Sequence, residues 1–175
     1  MLLDLDILIP LHTAISLVAP AIGFIVLAGL LRRRPAPVWR IAFLVTAFLT
    51  SATGFLFPFN VLLPSHVVGA LALLTLVMVV AAQQWSATSA RWRRAELIGL
   101  VVSQYWLLFV ALAQAFSKVP ALRDLAPTQS EGPFVLAQLA LLAGFIGLGF
   151  RILSTAGPAR SPRIVGPLPR RGPAS

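Results

Sequence analysis

Cysteine is absent from all 175 residues. That excludes disulfides, thiolate metal sites, iron–sulfur clusters and a cysteine nucleophile. Charge is scarce too: 11% of residues are charged, against about 25% in an ordinary globular chain. Acids are the scarcest, with 5 Asp+Glu against 14 Lys+Arg, and none of the five lies in the middle of an apolar run. A proton-driven carrier places an ionisable relay deep in the membrane, so that class is disfavoured. No Ser-x-x-Lys, Gly-x-Ser-x-Gly or His-Glu-x-x-His motif occurs, and Ser65 and His66, adjacent on a helix, would diverge by about 100°. A hydrolase has no visible machinery.

What is present is apolar: 58% of the residues, with a mean hydropathy of +0.90. A single water-soluble core of this length does not hide so much apolar surface, so the sequence points to lipid as the solvent. The net charge of +9 would suggest nucleic acid in a soluble protein, and only the placement of the charges decides otherwise.

Roughly 20 predominantly apolar residues are needed to cross a bilayer. Five stretches qualify, at about residues 8–31, 39–57, 65–83, 96–117 and 131–151. The connections are short, so the expectation is an all-α integral membrane protein, an up-and-down bundle of five transmembrane helices. With the N-terminus outside, the inner segments hold Arg32, Arg33, Arg34, Arg40, Arg91, Arg93, Arg94, Arg151, Arg160, Arg163, Arg170 and Arg171. Outside remain Lys118 and Arg123, with Asp4, Asp6, Asp124 and Glu131, and only Glu96 among the acids lies inside. That is the positive-inside pattern. The +9 therefore reads as an orientation, with no nucleic-acid partner.

The first stretch is expected to stay as a permanent span, because acids precede it and arginines follow it, the reverse of a secretory signal. Residues 154–175 hold five prolines, three glycines and four arginines. They are expected to form a disordered basic cytoplasmic tail, which anionic headgroups would attract.

Inside lipid, each polar side chain must find a partner or a water-filled site. His12, Ser16, Ala19 and Gly23 share a face of the first helix, as do Thr46, Thr50 and Thr53 on the second. Gln104, Ala111, Gln114 and Lys118 line the fourth, and Ala137, Ala140, Gly144 and Gly147 make a small-residue stripe on the fifth. Such stripes serve close helix packing, and Ser and Thr often bond back to their own helix. Polar residues also concentrate toward the outer end. His12, Ser16, Thr50, Thr53, His66, Gln114, Lys118, Glu131 and Gln138 form a candidate outer-side site, with phenylalanines at 55, 57, 59, 116 and 134 near the same boundary. Ser65 and Ser130 are placed to cap the third and fifth helices.

Four segments carry a resemblance: Leu11-His12-Thr13-Ala14-Ile15-Ser16-Leu17, Leu49-Thr50-Ser51-Ala52-Thr53-Gly54-Phe55, Pro64-Ser65-His66-Val67-Val68-Gly69, and Gln114-Ala115-Phe116-Ser117-Lys118-Val119-Pro120-Ala121-Leu122 continuing to Pro127-Thr128-Gln129-Ser130-Glu131. Over the five spans the chain resembles a group of small uncharacterised multi-pass bacterial inner-membrane proteins. The resemblance implies an inner (plasma) membrane location and this helix count, and it carries no activity.

Three functional readings stand. The first is a non-catalytic accessory or assembly protein that binds lipid, a membrane-protein partner or a second copy of itself. In the second, His12 and His66, at one depth on neighbouring helices, ligate haem b or a metal. The third is a small facilitator or permease subunit that uses Gln104 or Gln114.

Overall fold

Each apolar run folds as a continuous helix. The computed structural model describes residues 5–34, 36–57 and 64–155. Among them are six helices and no strand: α1 (Leu5–Leu31), α2 (Pro37–Gly54), α3 (Pro64–Gln83), α4 (Ala90–Lys118), α5 (Pro120–Leu125) and α6 (Gly132–Thr155). Within them, α1, α3 from His66, α4 and α6 are long and apolar enough to cross a membrane. The 18-residue α2 is not one of these four, because Arg40, Thr46, Thr50, Ser51 and Thr53 dilute its apolar content.

The helix ends differ from the sequence expectation where local chemistry decides them. Six residues before the expected fourth span, Ala90 to Ala95, are helical, following Ser89 in an extended N-cap position. Nothing in Ala90-Arg91-Trp92-Arg93-Arg94-Ala95 breaks a helix. In the loop between α4 and α6, Pro120 starts the short α5, since its fixed φ suits the first helical position. Ser130 is not the α6 cap. That helix begins at Gly132, and the Glu131 carboxylate takes the backbone N–H of Thr128 and of Ser130, both at 3.1 Å. Ser65 is not the α3 cap either, because that helix already includes Pro64; the 58–63 connection and the tail from 156 onward lie outside the described residues, while residues 154 and 155 belong to α6.

The α1–α2 corner is built by arginines. Arg33 takes a left-handed φ of 54°, Arg34 N–H bonds the Gly29 carbonyl at 2.8 Å and Arg33 N–H bonds that of Leu30 at 3.1 Å. This is the paired 6→1 and 5→2 closure of a Schellman C-cap, with arginine in the position glycine usually fills. Pro37, in the first turn of α2, restarts the chain in the opposite direction.

Helix α4 is the central element, packing against α3, α6 and α1, while α2 bridges α1 and α3. One apolar cluster joins the first four long helices through Ala19, Val26, Phe43, Ala47, Leu76, Val79, Leu100 and Leu107. A second joins the ends of α1 and α6 to the start of α4 through Leu27, Leu97, Val101 and Ile152. Close approach requires the absence of a side chain at two glycines. A Cβ on Gly99 would sit 2.4 Å from Val79 Cγ2, and one on Gly23 would sit 1.8 Å from Gln104 Oε1.

Candidate functional site

At the end of the bundle where α1 begins, His12 and His66 each meet residues at the end of α2. His12 Nδ1 is 2.8 Å from Thr53 Oγ1, and its ring meets Phe57 edge-on at 5.1 Å between centroids. His66 is buried and packs against Phe55 at 5.7 Å. Both imidazoles thus lie close to residues 53–57. Each faces its own phenylalanine of the α2 end. Among the described residues no group of three or more His, Asp or Glu is placed to hold a metal.

The other expected members divide into those bound within helices and those at the surface. Thr50 donates to the Thr46 carbonyl, Thr53 to that of Leu49 and Ser16 to that of Thr13. Such bonds to the preceding turn are the usual way a hydroxyl is satisfied in an apolar helix. Gln138 is buried and its Nε2 donates to the Phe109 carbonyl, tying α6 to α4 at 3.2 Å. Gln114 and Lys118 are exposed.

Glu131 organises its own loop. Desolvation, the largest single influence, pushes its carboxyl up. Hydrogen bonds from the Thr128 hydroxyl at 2.8 Å and from nearby backbone N–H groups outweigh this and hold it below the ordinary carboxylate value. Gln129, at φ 59°, reaches back to the Ala113 carbonyl at 2.9 Å and pins the loop to α4. Of the nine candidate residues, His12 and Thr53 bond each other, Ser16 and Thr50 bond their own helices, Gln138 bonds the α4 backbone and Glu131 bonds its own loop.

The opposite end holds what sequence reasoning missed. A cavity of about 630 Å³ lies between the end of α1, the start of α2 and the start of α4. Arg32, Arg34, Arg40 and Arg93 line it, together with Glu96 and Trp39. Glu96 is buried, and its Oε1 accepts from Arg40 Nη1 at 2.5 Å. The cavity continues into apolar wall from Ile25, Val26, Leu97 and Leu100. The sequence signal was visible, a run of three arginines and a fourth six residues on, but it reads as topology until the Arg33 corner folds α2 back beside α1.

Comparison with protein-family models, curated proteins and solved structures returns no match.

Proposed function

We propose that this chain is a five-span integral protein of a bacterial inner membrane, with its N-terminus outside and its arginine-rich end in the cytoplasm. It acts as a non-catalytic accessory or assembly protein. Four helices with spanning length and apolarity support membrane insertion. Topology supports a fifth crossing. The ends of α1 and α6 and the start of α4 share one cluster, the start of α2 joins them around the cavity, and the end of α2 meets His12 of α1 and His66 of α3. A chain that crosses in α1 and again in the same sense in α3 must return through α2, whose 18 residues reach about 27 Å at 1.5 Å per residue.

The observation that carries the accessory reading is the state of α6. It is the least buried of the four candidate spans, at 6% of its apolar window against 44% for α4, and a Cβ on Gly144 or Gly147 would meet nothing within 4 Å. Membrane helices associate through small residues that let backbones approach, and α6 presents such a face to another membrane protein. The His12–Thr53, Gln138–Phe109 and Arg40–Glu96 contacts each hold two helices together, which fits a scaffold.

Two measurements test this. The chain has no native cysteine, so Asp124→Cys and Ala87→Cys each report one side cleanly. An impermeant maleimide on intact cells is expected to label the first and spare the second; the reverse pattern overturns the orientation, and labelling of both overturns the five-span topology. Purification in mild detergent is expected to recover a second membrane protein, with recovery lost in Gly144→Ile. A lone monodisperse monomer would overturn the accessory role.

A further inference from the structure

We propose that the arginine-lined cavity is a binding site for one anionic phospholipid, its phosphate held by Arg32 and Arg34 and the start of an acyl chain lying along Val26, Leu97 and Leu100. Four arginines and one glutamate line it, and Arg40 is paired with Glu96. The net charge inside the cavity is positive and matches a phosphate. Guanidinium groups suit phosphate oxygens because their planar donors engage two at once.

The fold aims these groups. The left-handed Arg33 reverses the chain so that its neighbours Arg32 and Arg34 both line the cavity. The Glu96–Arg40 pair braces the start of α4 against the start of α2. A soluble phosphate would use only the arginines. A lipid uses the arginines and the apolar wall together, and about 630 Å³ holds a headgroup with the first part of a chain. Basic pockets between membrane helices on the cytoplasmic side are suited to anionic headgroups.

This inference rests on the membrane reading above, but it is tested in detergent, where orientation plays no part, so the labelling experiment and this one fail separately. The full chain is titrated in a neutral detergent with phosphatidylglycerol or phosphatidylcholine, and bound lipid is counted by native mass spectrometry. One phosphatidylglycerol is expected to bind at least about tenfold more tightly than phosphatidylcholine, and Arg32→Gln with Arg34→Gln is expected to abolish that preference. Arg91→Gln with Arg94→Gln removes the same charge from the same end without touching the cavity, and is expected to keep it. Equal loss in both double variants would mean diffuse attraction and overturn the site. Inorganic phosphate is the competing source. Full displacement of the lipid by millimolar phosphate, with equal protection against heat by phosphate alone, would overturn the lipid as occupant. Arg40 is left unchanged, so the Glu96 ion pair stays intact in every variant.

Discussion

Gln104 of α4 donates its Nε2 hydrogen to the carbonyl of Pro20 in α1 at 2.9 Å, across 84 residues of sequence. The side chain is fully buried, so the Pro20 carbonyl defines which end of the amide is the NH₂. The bond exists because Gly23, one turn further along α1, leaves room for the amide. A polar group buried in apolar surroundings gains most when such a partner is at hand, and costs most when it is lost.

Gly23→Ala is expected to destabilise the bundle by about 1–3 kcal/mol, the usual range for overpacking a tight contact. The added Cβ meets Gln104 at 1.8 Å and the Phe43 ring at 2.8 Å. Thermal unfolding in detergent measures it. Combining it with Gln104→Ala should recover part of the loss, because the two residues compete for one volume. Strict additivity would contradict the contact.

Arg33→Gly is expected to stabilise the protein by about 1 kcal/mol. A side chain at φ 54° bears the steric penalty of the left-handed region, which glycine avoids. The midpoint of unfolding should rise. A fall would mean that the Arg33 side chain contributes more than its backbone conformation costs.

Glu96→Gln leaves Arg40 facing a neutral partner at the mouth of the cavity. Breaking a fully buried pair costs about 3–5 kcal/mol, but Arg40 keeps 37% of its side chain exposed, so about 1–3 kcal/mol is expected. Unfolding of Glu96→Gln, Arg40→Gln and the double variant gives the coupling energy. A coupling near zero would make the pair a surface ornament.

The Glu131 loop is expected to loosen in acid. Its carboxyl is held below the ordinary value of 4.5, so the ionised form stabilises the folded loop. That stabilisation is complete above the unfolded value and is lost as pH falls through the lower folded one. Amide exchange at Thr128 and Ser130, whose N–H groups bond the carboxylate, should accelerate below about pH 4.5. In Glu131→Gln the acceleration should vanish, with the loop loose at every pH.

The amino-acid sequence by itself determined the five long helices, but not the short α5 between the last two of them. Apolar runs of that length bounded by proline and arginine have one low-energy backbone, and short connections leave neighbouring helices no other packing. It also determined which end carries the arginines, because charge placement is a property of the chain's order alone. Only the tertiary structure decided what each polar residue touches. Thr53 finds His12, Gln104 finds Pro20 and Gln138 finds Phe109 across 41, 84 and 29 residues. Helical periodicity places a residue on a face without naming the helix that the face meets. The basic cavity was beyond reach for the same reason. Its walls come from three helix ends, and it exists because the Arg33 corner and the Glu96–Arg40 pair bring those ends together.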